Sequence, residues 1–406
     1  VRRSLDLALI VAAAALTNFL YLYCSGGDYF YPDSFTYLAP AKMLLSGHGF
    51  SAKPGLAELM RTPVYPLLLA AFGTRVLPVI VLQHLLNVGL AVGVYFFALR
   101  RGRFVAVAAA LLFAIDPPTV HYANKLLTET LFTALLFVAF WIGGQARVPV
   151  LHGVVIGVLV LTRPVAIAYF AVVAVALLFT RVPRRAVALF TAAALVLPLA
   201  WALRNKIEGG DFTVSSIGAT NLLLHRAAAA IAITDEGDFA QDLVEEQNDL
   251  LDQAHQQIAR ERHVVNVDDL PEGVRAPYYS ALARRVILQH PVAFALVTLR
   301  GLLVNVFDSD WDSIMIVSRL DSRTIQIALD AFAAVVFALA VVGIVVLWRS
   351  DRPLALLLAG TIVYFLLISA GSEAEARFRV PVIPQLAIAA ACGLDAVRRA
   401  AAPAPR

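Results

Sequence analysis

The chain has 406 residues, 60% of them apolar and only 15% charged, with a formal net charge of +4. That leaves too little polar surface to coat a water-soluble globule, so a polytopic membrane protein is expected and a soluble domain is excluded. Two cysteines, Cys24 and Cys392, with no CxxC or Cys/His cluster support neither a disulfide framework nor a zinc site, and no aromatic-basic stripe points to nucleic acid.

In chain order, apolar runs at 5–23, 76–99, 104–121, 126–143, 186–203, 326–347, 353–370 and 380–397 each approach the roughly 20 residues that cross a bilayer. The first, with Arg2 and Arg3 ahead of an Ala-rich core, resembles a signal peptide. Its apolar run continues through Tyr23 without a cleavage site, so it reads as an uncleaved anchor. The stretch 150–180 is too long for one crossing and is interrupted by Thr162-Arg163-Pro164. An arginine at midplane costs roughly 2.5–3.5 kcal/mol, so two spans are expected to turn there.

The expected fold class is therefore all-α, a bundle of about ten transmembrane helices. Arginines test this topology, because short cytoplasmic loops collect them. Arg2 and Arg3, then Arg100, Arg101 and Arg103, Arg147, Arg181, Arg184 and Arg185, Arg349 and Arg352, and Arg398 and Arg399 all fall on one side. Both termini are thus expected in the cytoplasm. Pro291 to Phe307 is apolar but short, with Arg300 near its middle, and reads as an interfacial or re-entrant helix. Phe239, Leu243, Leu250, Ala254 and Ile258 recur at helical spacing, predicting an amphipathic helix over 238–262 packed on the membrane bundle. The chain divides into an N-terminal membrane module, 1–203, with a first outer loop at 24–75; a second outer loop, 204–325, carrying short interfacial helices; and C-terminal membrane helices, 326–406.

This topology gathers mixed polar groups on the outer rim and leaves almost only arginines on the other. Asp28, Asp33, Tyr37 and Arg61 lie in the first loop. Asp116, His121, Lys125, Glu129, Arg163, Arg204, Arg377 and Arg379 fall at later outer turns. Guanidinium groups hold a phosphate by paired hydrogen bonds, and a nearby carboxylate takes a proton from an incoming hydroxyl. Asp33 is the candidate base, near the positive end of a short helix starting at Pro32 or Ser34, and a plain helix cap is the alternative. Asp28 and Glu129 complete the catalytic candidates, with loop solvation as the blander reading of Asp28. Lys125 and Glu129 have the four-residue spacing of an intrahelical pair as well as of cavity-lining groups. Arg163 reads as a phosphate ligand or a turn anchor. Of Arg377 and Arg379, two apart, one is expected to face a cavity and the other to snorkel to lipid phosphates. The histidines show no metal spacing.

Tyr31-Pro-Asp-Ser-Phe-Thr-Tyr-Leu-Ala39, Leu-Leu-Ser-Gly-His-Gly-Phe50, Arg61-Thr-Pro-Val-Tyr-Pro66, Leu127-Thr-Glu-Thr-Leu-Phe132, Leu161-Thr-Arg-Pro164, Arg204-Asn205 and Ala376-Arg-Phe-Arg-Val-Pro381 stand in an order that resembles the bacterial GT-C glycosyltransferases. That group is related to protein O-mannosyltransferases and the lipid A aminoarabinose transferase. The resemblance implies a GT-C fold and sugar transfer from a polyprenyl-phosphate donor at the outer face of the bacterial inner membrane. It also implies inversion at the anomeric carbon, with an acceptor protein, glycan or lipid. It places Asp33 at the family's catalytic first-loop aspartate and Arg61, Arg204 and Arg377 or Arg379 at the donor phosphate. Pro32-Asp33-Ser34 stands where many relatives have adjacent acids, so the motif gives no support to a divalent metal. The competing reading is a transporter or flippase of a lipid-linked sugar, without bond chemistry.

Overall fold

The computed structural model describes residues 2–143, 148–180, 182–234, 237–311 and 323–401; Arg147 and Arg181 lie outside the described residues. α1 (Arg2–Cys24) turns Ile10, Ala14 and Asn18 inward and leaves Leu5, Leu9, Leu16 and Leu20 exposed, the one-sided spacing of a helix with a lipid-facing stripe. Gly26 and Gly27, both at positive φ, turn the chain out of it.

The first loop folds as α2 (Ser34–Leu45), a hairpin of β1 (Ser51–Lys53) and β2 (Leu56–Ala57), and α3 (Val64–Ala71). Pro54-Gly55 closes the hairpin with Gly55 at φ +80, the geometry a type II turn requires. α4 (Val76–Ala98) then runs to the far end of the bundle. α5 (Arg103–Ala114) and α6 (Pro117–Ala123) return together, bent by 52° where two prolines follow Asp116. The Asp116 carboxylate caps α6, accepting from the Thr119 amide at 3.0 Å.

α7 (Glu129–Gly143), α8 (Pro149–Val160) and α9 (Tyr169–Leu178) are short apolar helices, and Arg163 lies in the break between α8 and α9 where two spans were expected to meet. α10 (Arg184–Gly209) ends on Gly210 in the left-handed region at φ 86. Arg204 is therefore inside this helix, not beyond it, and the expected boundary at 203 falls within a continuous element.

Next come α11 (Ile217–Asn221), a π-helical turn at Leu222–Ala227, α12 (Ala228–Ala232), α13 (Phe239–Arg262), α14 (Glu272–Gln289) and α15 (Pro291–Phe307). α13 buries Leu250, Ala254 and Ile258 as its spacing implies. It packs chiefly on α12, the π turn and α14, not on the membrane bundle as expected, because Leu223, Ala227, Ala283 and Val286 give these segments an apolar core of their own. α15 leaves α14 at 102°, too sharply for the pair to form one straight span. Its Asn305 amide donates to the Leu366 and Ser369 carbonyls, both at 3.2 Å, which ties it across the end of a membrane helix and favours the interfacial reading.

The chain closes with α16 (Arg323–Ser350), α17 (Arg352–Ile368), a 3₁₀ segment at Ala376–Val382, and α18 (Ile383–Ala401). The apolar window spanning the 3₁₀ segment and α18 is 83% buried, against 17% for α1, so α18 is the axis of the bundle. A side chain at Gly343 or Gly393 would collide with the backbone of the facing helix, so these two glycines permit the close approach of α16 and α18.

Among the described residues, five helices are long and apolar enough to cross a membrane, or up to seven if each bent pair is one span. With the shorter apolar helices, all ten expected crossings have helical counterparts: α1, α4, α5 with α6, α7 to α10, and α16 to α18. They alternate in direction. One end collects the first loop, Arg163 and 372–379; the other collects Arg100, Arg101, Arg103, Arg184, Arg185, Arg349, Arg352, Arg398 and Arg399. That arginine end is not nearly free of acids, contrary to expectation. Asp6 pairs with Arg103 at 2.6 Å, Asp351 pairs with Arg101, and Asp395 holds Arg398 at 2.8 Å and Arg399 at 2.7 Å.

Candidate active site

At the opposite end, the first loop and the 3₁₀ entry to α18 converge. Asp33 occupies the N-cap position of α2, but its side chain accepts no capping bond. Instead Oδ1 accepts from Arg61 Nη2 at 2.8 Å and Oδ2 from Arg377 Nη2 at 2.9 Å. Burial by itself would raise this carboxyl; the two guanidinium groups outweigh it and hold Asp33 down at about 2. The cap reading of Asp33 fails for that reason, since both oxygens are taken by arginines.

Arg61 is aimed by its own loop. Glu58 Oε1 accepts the amides of Met60 at 2.6 Å and Arg61 at 2.8 Å, fixing the turn ahead of the guanidinium. Arg61 Nε donates to Thr36 Oγ1 at 2.8 Å, Nη1 donates to the Tyr37 hydroxyl at 3.2 Å, and the group lies 4.5 Å from the Tyr37 ring centre. Two hydrogen bonds dock this segment on the Arg163 turn: Thr62 Oγ1 donates to the Thr162 carbonyl at 3.1 Å, and the Val64 amide to the Leu161 carbonyl at 3.1 Å. The Arg61-Thr62 and Thr162-Arg163 sequences thereby become neighbours.

Glu129, wholly buried at the start of α7, accepts from Arg163 Nη1 at 2.6 Å and from Arg377 Nε. Its other oxygen has no hydrogen-bond partner among the described residues. Arg163 lies over the rings of Phe132 and Phe378, each centred 5.7 Å from its guanidinium carbon. Arg377 is the hub. It touches Asp33 and Glu129, lies 3.6 Å from Glu375 Oε1, and sits over the Tyr31 ring at 5.1 Å. Three guanidinium groups (Arg61, Arg163, Arg377) thus face three carboxylates (Asp33, Glu129, Glu375), a balanced set.

Glu375, Tyr31, Tyr122, Asp308 and Asp310 were not singled out from the sequence. The Tyr31 hydroxyl donates to Glu375 Oε2 at 2.9 Å, and burial, against the pull of Arg377, pushes the Glu375 carboxyl up to about 7. The Tyr122 hydroxyl donates to Asp310. One of Arg377 and Arg379 was expected to snorkel to lipid, but both are buried. Arg379 donates to the backbone carbonyl of Asp308 and has Asp116, Asp308, Asp310 and Asp330 within electrostatic reach. The 3₁₀ backbone of this segment lets two arginines two positions apart both turn inward.

Other expected groups sit nearby without joining the cluster. Lys125 and Glu129 do not share a helix face, since α7 begins only at Glu129; Lys125 pairs with Asp28 at 2.7 Å. Arg204 donates to the carbonyls of Glu58 at 2.8 Å and Phe50 at 2.5 Å and lies over Trp201, so it holds the β-hairpin. Among the described residues no three His, Cys, Asp or Glu side chains converge as a divalent metal requires.

No protein-family model and no curated protein matches this sequence significantly. Among solved structures, the archaeal oligosaccharyltransferase AglB from Archaeoglobus fulgidus, in complex with an inhibitory peptide and a dolichol-phosphate, aligns with TM-score 0.54 and 13% identity over 97% of this chain and 50% of that one. The same enzyme tethered to an acceptor peptide aligns with TM-score 0.54 and 12% identity over 97% of this chain and 49% of that one. The chain therefore has the GT-C fold and spans about half the length of that oligosaccharyltransferase. ArnT from Cupriavidus metallidurans bound to undecaprenyl phosphate aligns at TM-score 0.42 with 15% identity over 94% of this chain and 77% of that one, too low a score to establish a common fold.

Proposed function

We propose that this chain is a glycosyltransferase that moves a sugar from a polyprenyl-phosphate-linked donor to an acceptor hydroxyl at the outer face of the cytoplasmic membrane. The observation that carries this reading is the Asp33 carboxylate held between Arg61 and Arg377, with Arg163 and Glu129 one bond further on. An oligosaccharyltransferase of similar fold, in complex with a dolichol-phosphate, supports a lipid phosphate as the anchor of the donor. The arginine-rich opposite end supports a cytoplasmic placement for that face and an outward one for the site.

In the resting site the arginines are spent on carboxylates, and Asp33 at about 2 is too weak a base for a hydroxyl. An incoming phosphate competes for Arg377, Arg61 and Arg163, whose fork geometry suits its oxygens. As the guanidinium groups turn to the donor, Asp33 loses their stabilisation and its basicity rises. The acceptor oxygen then attacks the anomeric carbon opposite the phosphate. The new carbon–oxygen bond forms as the carbon–phosphate-oxygen bond breaks, the acceptor proton goes to Asp33, and the lipid phosphate leaves with its charge held by arginine. Glu129 positions Arg163 and Arg377 for this exchange, Tyr37 steadies Arg61, and the Asp28–Lys125 pair anchors the loop.

Purified protein in vesicles, given polyprenyl-phosphate sugars and candidate acceptors, tests this reading. A glycosylated product of inverted anomeric configuration by NMR is the expected result. Donor movement across the bilayer without any product would replace transfer with transport.

A further inference from the structure

A cavity of about 460 Å³ opens at the arginine end, away from the Asp33 cluster, between α4, α7, α9, α17 and α18. Its floor is made of buried apolar groups, Ala98, Val173, Leu357 and Ile388 among them, and its mouth holds Arg100, exposed, and Arg101, half-buried beside Asp351. Arg100 has no hydrogen bond or ion pair among the described residues, whereas Arg101 is already committed to Asp351.

An apolar cavity of this kind does not hold water well, because water needs several polar partners there. Its volume lies in the range of small-molecule sites, and its floor offers no group that would orient a sugar or nucleotide. The one unspent charge is cationic and sits at the rim. Basic pockets between membrane helices collect anionic headgroups.

We propose that this cavity is a binding site for an anionic phospholipid of the surrounding bilayer, with an acyl chain against Val173, Leu357 and Ile388 and the headgroup phosphate on Arg100. The site is separate from the transferase reading and does not depend on it. The committed occupant is a bilayer phospholipid, and a polyprenyl phosphate is the rival source of the same chemistry.

Native mass spectrometry of the delipidated protein, titrated with phosphatidylglycerol, phosphatidylcholine of the same chains, or undecaprenyl phosphate, tests the proposal. Wild type is expected to retain one phosphatidylglycerol and to prefer it over phosphatidylcholine by about tenfold, the worth of one charge-assisted bond. Arg100→Glu, an exposed change, removes the preference. Ala176→Phe, which fills the cavity, removes binding, with its unfolding midpoint in lipid-free detergent as the control for folding. Equal binding of the two phospholipids, undiminished phosphatidylglycerol binding by Arg100→Glu, or retention by a folded Ala176→Phe would overturn the site. Displacement of phosphatidylglycerol by equimolar undecaprenyl phosphate would overturn the assignment to a bilayer lipid.

Discussion

The carboxylate of Asp33 and the guanidinium of Arg377 are 344 positions apart in the chain and 2.9 Å apart in the structure. This contact joins the first loop to the axis of the bundle and connects the candidate base to the candidate phosphate ligands. It also means that neither residue can be altered without changing the charge state or orientation of the other.

Arg377 and Glu129 form a buried pair, so removing one costs the other a charge-assisted bond, although Glu129 keeps Arg163 and Arg377 keeps Asp33. Arg377→Met should lower stability by about 1.5–3 kcal/mol, because buried Glu129 keeps Arg163 but loses one of its two charge-assisted bonds. Adding Glu129→Gln should recover part of that loss, which a double-mutant cycle on detergent unfolding midpoints would reveal. Strictly additive losses would show that the two side chains do not act as a pair.

Arg61 presents a rigid fork, with separate nitrogens on Thr36, Tyr37 and Asp33. Lysine keeps the charge but loses the fork. Arg61→Lys should therefore raise KM for the lipid-phosphate donor by about tenfold, with a smaller change in kcat. An unchanged KM would remove Arg61 from the donor site.

Glu375 and Asp33 titrate at opposite extremes, and stability should record both. The Glu375 carboxyl is raised to about 7, so its contribution is full at low pH and is lost as pH climbs from the ordinary carboxylate range through about 7. The Asp33 carboxyl is depressed to about 2, so its contribution is constant above the ordinary range and disappears only as pH falls through about 2. Between these limits Glu375→Gln should flatten the decline of the unfolding midpoint with rising pH. A slope as steep as that of wild type would assign the titration to another group.

Arg204 should behave as a scaffold. Arg204→Ala is expected to increase hydrogen exchange over Phe50 to Arg61, whose carbonyls it holds, while leaving donor affinity within about threefold of wild type. A large loss of donor affinity with unchanged exchange would return it to the phosphate site.

Much of the bundle was legible because bilayer thickness and arginine placement leave few arrangements for runs such as 76–99 or 380–397. The convergence of Asp33, Arg61, Glu129, Arg163 and Arg377 on one end followed from the same alternation. What the sequence hid were partnerships across elements. Lys125 and Glu129 had helical spacing, yet the chain between them is not helical, and each found its partner elsewhere. The two-residue spacing of Arg377 and Arg379 implied that one of them snorkels, but the Asp308 loop beside Arg379 gives that second arginine a buried partner too. Tyr31 and Glu375 carried no local signal for their contact, because nothing near either residue in sequence specifies the other.

The most direct test of the central claim is single-turnover transfer from a radiolabelled polyprenyl-phosphate sugar, comparing wild type with Asp33→Asn while donor binding is measured in parallel. The account predicts that Asp33→Asn still binds donor but transfers label roughly 10²–10⁴-fold more slowly. Transfer at the wild-type rate by Asp33→Asn would contradict it.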